Sequence, residues 1–177
     1  MRYAWTCHCC GKAFDTLPLD YAAEAPAHWF GLPEQERQAR AVLSEDVCTV
    51  DGRDHFVRAC LEIPVRGLDR PFVWGVWVSL SEASVRRAAE LFDADPGPGE
   101  PPRFGWLSTA LPLYPGPTLN LKAMVHFRPR PLRPRVELEP TGHPLAVEQR
   151  EGIPAERVRE IVARVLHPPR AGDGSGG

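Results

Sequence analysis

The run Phe72-Val73-Trp74-Gly75-Val76-Trp77-Val78-Ser79-Leu80 constrains the fold most, because a strand apolar on both faces is stable only where something covers both sides of it. It reads as a central strand, with Gly75 leaving room for a close neighbour. A second long strand is expected over His55 to Val65, where Val57, Ala59, Leu61 and Ile63 share one face and Phe56, Arg58, Cys60 and Glu62 the other. It follows Val47 to Val50 across Asp51-Gly52-Arg53-Asp54, and the Asp-Gly pair marks a tight hairpin turn. Phe104 to Ser108, Thr118 to Arg128 and Arg133 to Glu139 are further strands. In the second of these, Leu119, Leu121, Ala123, Val125 and Phe127 alternate with polar or half-wet positions.

Helices are expected at three places. Gly31-Leu32-Pro33-Glu34 opens one that runs to about Leu43, with proline at its first position and acidic residues at its positive end. Ser79 and Glu82 have capping-box spacing ahead of a helix from Glu82 to Phe92. Pro154 to Leu166 carries Val158, Ile161, Val162 and Val165 on one face. Asp93 to Arg103, with four prolines and two glycines, is a loop. These elements predict a single α+β domain over residues 1–167: a curved antiparallel sheet of about five to seven strands, with two or three helices packed on one side or end. The proline, glycine and serine tail, 168–177, is expected to be disordered.

At 177 residues, 43% of them hydrophobic, the chain buries about two-thirds of its unfolded surface, so folding does not require staples. A net charge of −2 argues against the basic face that nucleic acid binding needs. Lys12 and Lys122 are the only lysines, and the excess of arginine over lysine reads as coding bias rather than phosphate recognition. Met1 to Thr6 lacks the apolar core of a signal peptide, and no run reaches the length of a membrane span. A cytoplasmic location is expected, in which five cysteines are thiols or metal ligands rather than disulfides.

Cys7-His8-Cys9-Cys10-Gly11-Lys12 holds a Cys-x-x-Cys-Gly turn whose two thiolates can converge on one ion. Zinc takes four ligands, and completion has to come from Cys48, Cys60, His28 or His143, with Cys7, Cys10 and Cys48 as the leading set; free thiols with Cys48 and Cys60 as small buried apolar groups is the alternative. A redox role fits less well, because such motifs open a helix and this one precedes an irregular stretch. No Gly-x-Ser-x-Gly elbow and no glycine-rich phosphate loop is present.

Several segments resemble a bacterial family of unknown function, DUF2199. They are Cys7-x-x-Cys10-Gly11, Asp46-x-Cys48-x-x-Asp51-Gly52, Phe72 to Ser81, Phe104-Gly105-Trp106-Leu107-Ser108, Thr118-Leu119-Asn120-Leu121-Lys122, Arg133-Pro134, and His143-Pro144-Leu145-Ala146 with Gln149 and Gly152-Ile153. The resemblance implies a compact prokaryotic domain and carries no activity, cofactor or catalytic residue. The family pattern has a histidine shortly after the cysteine turn where this chain has Phe14, a departure that counts against a metal site built on the turn.

Trp77, Trp106, Asn120, Lys122, Arg133, His143 and Gln149 form the candidate binding set: indoles give flat contact area, the cations pair with carboxylate or phosphate, and the amides fix orientation. The alternative is that the tryptophans are core and the charges ordinary surface. The expected function is a small non-catalytic binding domain of accessory or immunity type that contacts a protein or small ligand. A zinc-binding protein, structural or catalytic, is the second reading.

Overall fold

The computed structural model describes residues 4–168 except 92, 93, 95 and 98. The tail assigned above to 168–177, apart from Pro168, lies outside the described residues, as do residues 1–3 of the N-terminal segment and Phe92, Asp93, Asp95 and Pro98 of the helix and loop expected over 82–103. A short hairpin of β1 (Trp5–Thr6) and β2 (Ala13–Phe14) opens the chain, and β3 (Asp20–Ala22) follows. Then come α1 (Ala27–Phe30), a 3-10 turn over Glu34–Glu36, α2 (Arg37–Arg40), β4 (Ala41–Leu43), β5 (Val47–Val50), β6 (Asp54–Ile63) and β7 (Val65–Arg66). The rest is β8 (Phe72–Leu80), α3 (Glu82–Glu90), β9 (Arg103–Leu107), β10 (Lys122–His126), β11 (Arg135–Leu138), α4 (Pro144–Glu151), β12 (Ile153–Pro154) and α5 (Ala155–Leu166).

The two long strands pair antiparallel along their whole length, from His55 opposite Leu80 to Ile63 opposite Phe72. Each then divides its other edge between two partners. β6 takes β5 along Asp54–Val57 and β11 at Cys60 and Leu61, while β8 takes β3 at Val73–Gly75 and β9 at Val78–Leu80. With β9 on β10 and β10 on β11, the ring β6-β8-β9-β10-β11 closes on itself. The closing pair, β11 with β6, is parallel, as it must be when an odd number of up-and-down strands forms a circle. This corrects the expected architecture: the molecule is a closed five-stranded β-barrel with extra strands and short helices, not an α+β curved open sheet with helices packed on one side or end.

The barrel interior is filled by Val57, Ala59, Leu61 and Ile63 of β6, Trp74, Val76 and Val78 of β8, and Leu107, Ala123, Val125 and Val136 from the other strands. The opposite face of the long pair is covered too, because Phe56 and Trp77 pack with Leu32, Cys48 and Val50 in a second cluster. Both faces of β8 are therefore buried, as its composition requires. β3 runs close past Gly75: a Cβ there would lie 2.6 Å from that of Ala22. The β5–β6 turn puts Asp51 and Gly52 at φ 52° and 67°, the left-handed pair of a tight hairpin.

The helices depart further from expectation. The stretch read as one helix to Leu43 is a 3-10 turn and a four-residue helix that gives way to β4, where Ala41, Val42 and Leu43 pair with Val50, Thr49 and Cys48. Ser81, not Ser79, caps α3 by accepting from the Ser84 amide, since Ser79 belongs to β8. α4 was not anticipated, although His143-Pro144 at its start and Gly152 after its end are helix boundary signals. α5 buries Val158, Ile161 and Val162 as its periodicity indicates. Between β9 and β10 the chain leaves the sheet for a packed excursion held by two threonines. Thr109 Oγ1 accepts from the Trp77 amide, and Thr118 Oγ1 donates to the Thr109 carbonyl while accepting from the Leu111 amide. Among the described residues no helix is long and apolar enough to cross a membrane.

Candidate metal centre

The β1–β2 hairpin is anchored by Trp5, which is buried and stacks on Phe14 at 5.1 Å between ring centroids. Cys7 follows directly and is fully buried, whereas Cys9 and Cys10 at the tip are exposed. The turn is closed by Gly11 N–H donating to the Cys7 carbonyl at 2.8 Å and Cys7 N–H donating to the Lys12 carbonyl at 2.9 Å. Gly11 sits at φ 70°, a conformation glycine adopts without strain. Burial pushes the Cys7 thiol up, but the amides of Cys10 and Cys9, the Cys10 thiol and the His167 ring together outweigh it and bring the group down to about 7. Amides aimed at a sulfur are what a thiolate ligand needs.

The third group arrives from the far end of the chain. His167 follows the last turn of α5, its amide still bonded to the Ala163 carbonyl, and its Nε2 lies 3.5 Å from Cys7 Sγ. The sulfurs of Cys7 and Cys10 and a ring nitrogen of His167 all fall within 4.8 Å of one another. Zinc–sulfur bonds of about 2.3 Å and zinc–nitrogen bonds of about 2.0–2.1 Å at a tetrahedral angle put a sulfur and a nitrogen about 3.6 Å apart, so the Cys7–His167 separation already has the span of two ligands on one ion. The C-terminal end of α5 adds the negative end of a helix dipole, which favours a cation.

Cys48, the third cysteine of the sequence-derived set, is on β5 in the second cluster with Phe56 and Trp77, and burial raises its thiol to about 11. Cys60 is half-buried on β6 and is also pushed up, by burial first. Neither joins Cys7 and Cys10 in the cluster, and neither do His28 or His143. Sequence reading missed His167. The signal available was a histidine ending an amphipathic helix immediately before Pro168, off the apolar face.

The binding set is spread over the molecule. Trp77 is fully buried, with its indole N–H donating to the Ala23 carbonyl. Trp106 is 40% exposed on β9, opposite Lys122 of β10, and makes an edge-to-face contact with Phe104 at 5.2 Å. Asn120 holds a left-handed turn at φ 64°, and Lys122 pairs with Glu139 at 3.7 Å. Arg133 is fixed by Asp46 at 2.7 Å and Glu45 at 2.6 Å. His143 caps α4, its Nδ1 accepting from the Leu145 amide. Gln149 acts as a short piece of strand: its amide group accepts from Leu138 N–H at 2.8 Å and donates to the Val136 carbonyl at 2.7 Å, satisfying β11 from outside the barrel.

Two of the clefts among the described residues are large enough for a small molecule. One, of about 520 Å³, is lined by Glu62, Arg70, Arg135, Glu137, Gln149 and neighbouring residues. The other, of about 620 Å³, lies between α3 and the barrel and includes Arg133. Neither is lined by Cys7, Cys10 or His167.

A closed five-stranded barrel whose N-terminal hairpin offers two cysteine sulfurs and whose last helix delivers an imidazole defines a small β-barrel protein with a candidate two-cysteine, one-histidine metal centre. The chain belongs to DUF2199, a family described as an uncharacterised protein conserved in bacteria, whose family model matches residues 6–153. That span contains Cys7 and Cys10 and stops before His167. No curated protein and no solved structure matches the chain.

Proposed function

We propose that this chain is a zinc-binding β-barrel domain in which Cys7, Cys10 and His167 hold one ion, and that the ion's work is structural while the barrel serves as a non-catalytic binding module of the cytoplasm. The observation that carries the reading is the meeting of the three donors within 4.8 Å from opposite ends of the sequence. Two sulfurs and an imidazole favour zinc among the common divalent ions. Three protein donors leave one tetrahedral position to be filled by a further ligand. A structural role is supported by the length of chain that the ion would span. Bridging residues 160 apart removes much of the freedom of the unfolded chain, as a disulfide closing the same loop does.

Elemental analysis of the protein purified without a histidine tag tests the reading directly. Near-stoichiometric zinc is expected, lost in both Cys10→Ser and His167→Gln. These positions are exposed, so the substitutions remove a ligand without opening the core, unlike changes at Cys7. Chelation of the wild type lowers the melting temperature by on the order of 10 °C. A metal-free protein with unchanged melting under chelation and five titratable thiols overturns the proposal.

A further inference from the structure

We propose that the cleft beneath α3, at the mouth of the barrel, binds a small amphipathic carboxylate: an aliphatic or aromatic body with one anionic end. β8 ends at Leu80 and passes straight into α3, which shares the lining of one cleft with Val57 and Arg58 of β6 and with the segment that joins β10 to β11. α3 is amphipathic, yet none of its residues is fully buried. Its Val85 and Ala88 line a cavity of about 620 Å³ whose other apolar walls include Val57, Phe127 and Leu132. The volume lies in the range of small-molecule sites, and a barrel mouth is a common place for one. Leu132 is an apolar side chain at the rim, 55% exposed.

The charges at the rim identify the class of ligand. Arg128 is occupied by Glu62 at 2.7 Å, and Arg133 by Asp46 and Glu45. Arg58, half-buried on the outer face of β6 and part of the same lining, has no carboxylate within ion-pair reach among the described residues. Its guanidinium makes one long hydrogen bond, 3.4 Å, to the Glu45 carbonyl. A planar five-donor cation left with that single acceptor beside an apolar cavity matches a carboxylate in charge and in geometry, with the ligand's body lying against the face of α3. The lid itself is secured from the other side, since Arg87 of α3 grips Glu100 through two hydrogen bonds, 2.6 and 3.1 Å, and Arg103 of β9 shares that carboxylate. The helix thus stays in place above a space that its own side chains do not fill.

Isothermal titration of the purified, metal-replete protein with sodium dodecanoate tests the proposal. One site saturating at micromolar concentration is expected, with decanoate about tenfold weaker for its two missing methylenes. Arg58→Gln is expected to weaken dodecanoate at least tenfold while leaving dodecan-1-ol unchanged. Ala88→Phe, which fills the cavity from a partly exposed helix position, abolishes both, and the circular dichroism spectra and melting of the two variants report that they remain folded. Absence of saturation below millimolar dodecanoate, or equal binding by the wild type and both variants, overturns the proposal. The metal centre takes no part in this site, so its success or failure is read separately.

Discussion

At the scale of single residues the protein separates its cysteines by what each sulfur meets. Cys48 is surrounded by apolar side chains and stays a thiol, whereas Cys7 is just as buried but receives amides, a second thiol and an imidazole. Its folded-state value, near 7, lies below the ordinary thiol value, so without metal the group contributes stability that is complete above about pH 9 and is lost as pH falls through 7. Zinc retention follows the same direction: dialysis at pH 5.5 strips the ion and dialysis at pH 8 does not, as metal analysis after equilibration will record. Gly75 gives a second test. Alanine there meets the Ala22 Cβ at 2.6 Å and its Cα at 3.0 Å, so Gly75→Ala should cost roughly 1–3 kcal/mol in urea denaturation. The double variant Gly75→Ala with Ala22→Gly should recover most of the loss, because the contact that has to give is removed from the other side.

Among the elements, polar side chains fasten the helices to the barrel. Tyr114 O–H donates to Glu148 of α4 at 2.6 Å and accepts from the Trp74 indole at 3.2 Å, while Arg157 of α5 holds the other oxygen of Glu148 at 2.7 Å. Tyr114→Phe leaves a buried indole N–H without its acceptor, with an expected cost of about 1–3 kcal/mol in chemical denaturation. Glu100 plays the corresponding part for α3. Hydrogen bonds from Arg87, then Arg103, hold its carboxyl down to about 2, so it contributes stability that is complete above about pH 4.5 and disappears as pH falls through 2. Glu100→Gln is therefore expected to lower the melting temperature by a few degrees at pH 7, with the difference from wild type closing near pH 2, which calorimetry across that range will measure.

For the whole molecule, alternation along the chain exposed the individual strands but not how they join. The apolar faces of β6 and β8 were legible because each residue's burial depends on its own side of the strand, and so were Ala123 and Val125 of β10, although that strand covers only Lys122–His126 of the expected Thr118 to Arg128 and the chain turns at Leu119 and Asn120; Asp51-Gly52 marked the hairpin because only certain residues tolerate its backbone. Closure was not legible: it rests on two register pairs, Arg135 with Cys60 and Val136 with Leu61, that no local pattern encodes. The same holds for the metal centre. Cys7 and Cys10 declare themselves by spacing, but His167 becomes their neighbour only after the barrel has formed and α5 has packed its Val158, Ile161 and Val162. The helix expected through Leu43 failed for a related reason, as pairing with β5 outweighed the preference of Ala41-Val42-Leu43 when read alone.

The contact of 3.5 Å between Cys7, the residue after the two-residue strand β1, and His167, the residue after α5, also brings the start of β1 within a few residues' reach of the end of α5. A short peptide joining the two sides would let the chain be reopened elsewhere, for instance at the exposed Asp51-Gly52 turn, without rerouting a strand. In such a circular permutant the ion would cease to be a clasp between distant segments and become an ornament on a covalent loop, and removing it would then leave the melting temperature nearly where it was.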